Sequence, residues 1–150
     1  MPLYKPGLNS NQIYIIAEIG LNHDGKINIA KKLIKDAKDA GADAVKFQIF
    51  EPETIGRDKI RKSEANSRWK RLFTTDEQIK KLKNFSKKLK IDFICSVFDT
   101  KSLKRISKFN LKFIKIASSE VNNLQLLKQV KKAKIPSILS SGMSNDSEIR

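Results

Sequence analysis

The sequence predicts a parallel α/β protein, and three observations carry that reading. Five short apolar segments suited to strands alternate with four complete amphipathic helical segments along the 150 residues. The strand segments are apolar on both faces, as in a parallel sheet covered by helices. Each strand also ends, on its C-terminal side, in polar or charged residues, which is how such a protein builds a site at one rim of its sheet.

The first dozen residues, with Pro2, Pro6 and Gly7, read as a lead-in. Strand one is expected from Ile13 to Ile19, carrying Glu18 near its end, and it breaks into the turn Asn22, His23, Asp24, Gly25. In the helix that follows, Ala30, Leu33, Ile34 and Ala37 fall at i, i+3, i+4 and i+7, and Gly41 stands where a C-cap glycine belongs. Strand two is ADAVKFQIF. From Glu51 to Thr74 the chain is charged and irregular, includes Trp69, and reads as a long connection.

A second long helix is expected to start at Thr75, with Gln78 completing a capping box and Ile79, Leu82, Phe85 and Leu89 as its apolar face. Strand three is DFICSVF. A short helix with Leu103, Ile106 and Phe109 inward leads to strand four, FIKIAS. The next helix carries Leu124, Leu127 and Val130, strand five is PSILSSG, and SNDSEIR reads as the first turn of a further helix. Two architectures accommodate this order, an open doubly wound sheet and a (β/α)8 barrel. No Gly-x-Gly-x-x-Gly or Walker-type loop follows any strand, so the nucleotide-binding version of the open sheet loses its main support.

Composition narrows the function classes. A net charge of +15 raises the question of nucleic acid, but the lysines are dispersed over helix segments and arginine is scarce. No nucleic-acid partner is expected. The longest apolar run falls well short of the roughly 20 residues that cross a bilayer, and the N-terminus lacks the order of a signal peptide. A cytoplasmic protein with no membrane partner is expected. The single cysteine, Cys95, lies within an apolar strand and reads as a packing residue.

Alternation along the strands places Tyr14, Ile16 and Glu18 on one face, then Ala44, Lys46 and Gln48, then Phe113, Lys115 and Ala117. A lysine in the middle of a buried strand costs several kcal/mol unless it is paired. Lys46 and Lys115 therefore need counter-charges, from Glu18, from Glu120 or from an anionic ligand. Ser96 closes strand three, Ser118 and Ser119 close strand four, and Ser140 and Ser141 close strand five. Lysines, hydroxyls and free backbone N–H groups at one rim make a phosphate or carboxylate site. His23 is the only histidine and cannot form a metal site alone, so a supporting structural role is expected for it.

The run AEIGLNHDG, the following AGADAVKFQ, and the later segments FICSVFD, FIKIASSEVNNLQLL and IPSILSSGM resemble, in this order, the sialic acid synthase family. That family includes the N-acetylneuraminate, legionaminate and pseudaminate synthases. The resemblance implies a (β/α)8 TIM-barrel fold, here truncated to about its first five β/α units. It implies condensation of phosphoenolpyruvate with an open-chain N-acetylated amino sugar such as N-acetylmannosamine. By resemblance Glu18 falls on the catalytic glutamate. Lys46, Ser96, Lys115, Ser118 and Ser140 fall on phosphoenolpyruvate-binding positions, and Gln48 and Glu120 on positions near the sugar.

The family also uses a divalent metal, Mn2+ or Mg2+, whose histidine ligands lie on later strands, so no metal ligand is expected in residues 1–150. The family forms a homodimer in which an antifreeze-like C-terminal domain, not contained in residues 1–150, reaches over the partner's active site. The expectation is therefore an N-terminal part of a synthase barrel, without turnover by itself, that a complementing chain carrying the later strands would complete. Val97 stands where the family usually has proline, and Ser96 where threonine is common, which keeps the hydroxyl. The connection from Glu51 to Thr74 resembles the family poorly, and no sugar contact is assigned to it. A phosphoenolpyruvate aldol-type synthase acting on a phosphorylated sugar, a lyase on the same barrel, and a catalytically inactive binding module are the alternatives.

Overall fold

The computed structural model describes residues 13–55, 64–142 and 144–149. The expected lead-in over residues 1–12, and residues 56–63 of the long connection, lie outside them. Five strands, β1 (Ile16–Gly20), β2 (Ala44–Ile49), β3 (Asp92–Val97), β4 (Ile114–Ile116) and β5 (Ser137–Leu139), form one sheet. All neighbours are parallel and the spatial order is β1-β2-β3-β4-β5. An open doubly wound sheet reverses its strand order at a switch point. This sheet never reverses, which is the progression of a (β/α)8 barrel over five consecutive units.

Helices α1 (Ile27–Asp39), α4 (Asp76–Lys88), α5 (Thr100–Ile106) and α6 (Leu124–Ala133) connect the strands, and α7 (Asp146–Ile149) follows β5. Local chemistry sets their ends. Gly41 has φ +87° and the N–H of Ala42 reaches back to the Ala37 carbonyl at 3.0 Å, a Schellman closure that needs glycine at this position. Thr75 accepts from the Gln78 N–H at 3.2 Å while the Gln78 side chain accepts from the Thr75 N–H at 2.9 Å, the expected capping box. Asp99 and Ser102 cap α5 in the same way.

The core lies between sheet and helices. Val45, Phe47, Ile49, Cys95, Val97, Ile114 and Ile116 meet Ala30, Ile34, Ile79, Leu82, Leu103, Ile106, Leu126 and Val130 there, all buried. Each large side chain so buried contributes about 1.5–3 kcal/mol. Cys95 is one of these packing residues, and burial pushes its thiol pKa up. The other face of the sheet is divided along its length. Ala44, Ile94 and Phe113, with Tyr14 and Ile16, form a small apolar cluster at its N-terminal end. The residues above them on that face are Glu18, Lys46, Gln48, Ser96 and Lys115.

Four expectations are corrected. The first strand starts at Ile16 rather than Ile13, because residues 13–15 precede the start of β2 and have no strand beside them. Ile15 instead bonds the turn before β2, donating to Asp43 Oδ2 at 2.7 Å, and Ile13 is 85% exposed. The connection from Glu51 to Thr74 is not wholly irregular. It contains α2 (Pro52–Ile55) and α3 (Glu64–Leu72), with Leu72 buried and Trp69 set edge-on against Phe50 at 5.4 Å. Leu124 does not face the core: it is the first residue of α6, it is 66% exposed, and Leu126 takes the buried position. Strands four and five are shorter than expected: after β4 the N–H of Glu120 bonds the Ala117 carbonyl at 3.0 Å and turns the chain out of the ladder, and β5 keeps only Ser137–Leu139, the three residues that pair with β4.

Candidate active site

The polar residues of the inner face gather at the C-terminal rim. Glu18 and Lys46 are register partners, and so are Gln48 and Ser96, and Ser96 and Lys115. One band of side chains thus crosses four strands. Lys46 forms an ion pair with Glu18 and donates to Ser96 Oγ at 3.1 Å. Lys115 donates to Ser140 Oγ, which follows β5.

The register of β1 slips between Glu18 and Gly20, and Gly20 has φ +56°. A side chain there would bring a Cβ within 3.2 Å of Glu18 Oε1, so the glycine leaves room for the carboxylate. Gly142 serves Ser118 in the same manner, since a Cβ at residue 142 would stand 3.2 Å from the Ser118 Cβ.

Lys46 is the electrostatic centre of the band. Its side chain is only 15% exposed, against 48% for Glu18. Burial pushes its pKa below that of an ordinary lysine, and the Lys115 ammonium pushes it the same way. Two ammonium groups that repel each other, flanked by the Ser96 and Ser140 hydroxyls, are a preformed site for an anion.

Beside this band lies an open cleft of about 620 Å³. Gln48 and Glu120 both line it, joined by Leu21, Phe50, Thr54, Trp69, Phe98, Ser119, Asn122, Asn123 and Leu124. Glu120 is held in place: Asn123 Nδ2 donates to Oε2 at 2.7 Å and Ser119 Oγ donates to Oε1 at 3.2 Å. The structure therefore sorts the sequence-selected residues into two neighbouring groups. Glu18, Lys46, Ser96, Lys115 and Ser140 make the charged band, with Ser118 at the start of the turn beyond β4, while Gln48 and Glu120 face the cleft.

Trp69, Leu124 and Asn123 are cleft residues that sequence reasoning assigned elsewhere or passed over. Asn123 left a signal, an N-cap asparagine directly before α6, where its Oδ1 accepts from the Leu126 N–H at 3.1 Å. His23 stands outside both groups. It is buried against Phe47 at 5.7 Å, and its Nδ1 accepts from the Gly25 N–H at 3.1 Å. Among the described residues no three His, Cys, Asp or Glu side chains come together as a metal site. No described helix is long and apolar enough to cross a membrane.

Strand order and rim chemistry together define a protein of the (β/α)8-barrel class, seen over its first five units. Within that class the chain belongs to the NeuB family, whose model matches residues 33–150. The N,N'-diacetyllegionaminic acid synthase of Legionella pneumophila is 34% identical over 157 residues, covering 97% of this chain and 44% of the relative. The N-acetylneuraminate-9-phosphate synthase of Drosophila melanogaster is 36% identical over 143 residues, covering 89% and 38%. The crystal structure of N-acetylneuraminic acid (sialic acid) synthetase from Leptospira borgpetersenii, in complex with citrate, superposes with a TM-score of 0.84 at 36% identity, covering 93% and 48%. The chain thus spans less than half the length of these synthases.

Proposed function

We propose that this chain carries the phosphoenolpyruvate-binding part of an enzyme that condenses phosphoenolpyruvate with an open-chain N-acetylated amino sugar, such as N-acetylmannosamine. The products are a nonulosonic acid and phosphate. The pairing of Lys46 with Lys115 across the rim, with a serine hydroxyl on each ammonium, carries this reading. Phosphoenolpyruvate bears a phosphate and a carboxylate, and two cations with flanking hydroxyls can hold both anionic ends.

In this scheme Lys46, Ser96, Lys115, Ser118 and Ser140 bind phosphoenolpyruvate. Gln48 and Glu120 bind sugar hydroxyls in the adjoining cleft, which brings the acceptor aldehyde toward C3 of phosphoenolpyruvate. The C3–aldehyde bond forms as the aldehyde C=O π bond breaks, water adds at C2, and the C2–O bond to phosphate breaks as C2 becomes the ketone. The two protons of the water end on the former aldehyde oxygen and on the released phosphate. Glu18 takes the proton of that water as general base, the task its place beside Lys46 suits. The Mn2+ or Mg2+ ion expected by resemblance does not fit these residues alone, since the described part of the chain offers no cluster of three ligands. None of these steps runs through it. A homodimer, and a complementing chain that supplies later strands of the barrel, belong to the same proposal, as does a cytoplasmic location.

Calorimetric titration of the 150-residue chain with phosphoenolpyruvate tests the reading. Binding is expected, weakened about tenfold or more in Lys46→Ala and in Lys115→Ala, the effect of removing one charge-assisted hydrogen bond. Absence of binding, or full affinity in both variants, would sink it.

A further inference from the structure

Arg105 on α5 lies outside the rim, yet its guanidinium is engaged along every edge. Its side chain is only 14% exposed. Nη1 donates to Glu51 Oε1 at 2.9 Å, Nε to Asp76 Oδ1 at 2.6 Å, and Nη2 to the Thr74 carbonyl at 2.5 Å. The guanidinium also covers the Phe73 ring at 4.5 Å. Glu51 is where the chain leaves β2, and Phe73 to Asp76 is where it returns to start α4. One planar group therefore holds both ends of the excursion that contains α2 and α3. A lysine has no fork of donors with which to do so.

Two further interactions act in the same direction. Asp99, the N-cap of α5, accepts from the Glu51 N–H at 3.2 Å and from the Thr54 hydroxyl at 3.1 Å. At the other side of the excursion, Asp24 pairs with Arg71 at 3.0 Å. The element held in this way carries Trp69, which packs on Phe50 and lines the cleft with it.

We propose that Arg105 is a positioning residue of the cleft, closing the excursion at both ends so that Trp69 stands as a preformed apolar wall opposite Gln48 and Glu120. The proposal rests on the acceptor-sugar reading of the cleft. Trp69, with Phe50 and Leu124, supplies a surface for the apolar part of an acylated amino sugar, and Gln48 and Glu120 supply partners for its hydroxyls. Arg105 touches neither reactant. It acts by fixing the backbone on which Trp69 sits.

Trp69 is the only tryptophan of the chain, so its fluorescence reports this position alone. In the full 150-residue protein, acrylamide quenching of Trp69 is compared among wild type, Arg105→Ala, Arg105→Lys and the exposed neighbour control Lys104→Ala. Calorimetry with N-acetylmannosamine and with phosphoenolpyruvate accompanies it. The expected result is a quenching constant raised about twofold or more in Arg105→Ala, partly restored in Arg105→Lys and unchanged in Lys104→Ala. Amino-sugar affinity should fall about tenfold while phosphoenolpyruvate affinity holds, because only the cleft wall has moved.

Wild-type quenching in Arg105→Ala would overturn the proposal, and so would raised quenching with unaltered amino-sugar affinity. If Arg105→Ala does not fold, Glu51→Gln and Arg105→Lys decide by the same readouts. Phosphoenolpyruvate binding without amino-sugar binding in wild type would sink the role assigned to the cleft alone. Loss of both would sink the functional reading, and Trp69 quenching would still judge the grip of Arg105.

Discussion

Glu18 and Lys46 are register partners on adjacent parallel strands, and their side chains form an ion pair at the C-terminal rim of the sheet. Because Glu18 also competes with any incoming anion for Lys46, its removal should separate binding from chemistry. Glu18→Gln is expected to bind phosphoenolpyruvate at least as tightly as wild type, since a repelling carboxylate is gone. In the enzyme completed by its remaining strands, the same variant should lose about 10²–10⁴-fold in turnover, the usual share of a general base. Calorimetry on the chain and phosphate release by the completed enzyme check the two halves. Weaker phosphoenolpyruvate binding in Glu18→Gln would place Glu18 among the groups that hold the ligand instead.

Strand alternation was enough to put Lys46 and Gln48 on one face, and Lys115 on the matching face two strands away, because side-chain direction in a strand is fixed by a period of two. The capping box at Thr75 and the glycine closure at Gly41 are equally local, and both were legible. The α3 wall was not. Its hold on the protein comes from Arg105, distant in sequence, and from the turn at Asp24 and Gly25, and no local pattern encodes such interactions. Leu124 misled for a related reason: its spacing with Leu127 and Val130 fits a helix stripe, but its place at the very start of α6 turns it toward the cleft.

His23 gives the protein a pH dependence of known sign. Burial pushes its pKa below that of a free histidine, and the Asp24 carboxylate only partly opposes this. In the unfolded chain it titrates near the usual value of about 6.5. Below that pH the unfolded state takes up a proton that the folded state resists, so stability present above about pH 6.5 is lost as pH falls. The urea midpoint should therefore drop between about pH 7.5 and 5.5, a window above most carboxylate titrations. With no second histidine in the chain, His23→Gln should flatten that drop. An equally steep decline in the variant would assign the effect to other groups.

Two glycines with similar backbone angles should respond differently to the same substitution. Gly25 has φ +74° and Gly41 has φ +87°, so alanine at either position carries the left-handed penalty of about 1 kcal/mol. Around Gly41 nothing lies within 4 Å of an added Cβ, and the cost should end there. At Gly25 the added Cβ would stand 2.1 Å from the Arg71 carbonyl oxygen, a backbone atom that cannot rotate away. Either the turn after β1 or the end of α3 must then shift, and overpacking of this kind costs about 1–3 kcal/mol more. Gly25→Ala should thus lower the denaturation midpoint clearly further than Gly41→Ala. It should also raise Trp69 quenching, because Arg71 and Trp69 belong to the same helix. Equal losses in the two variants, with Trp69 unaffected, would show that the β1 turn and α3 do not bear on one another.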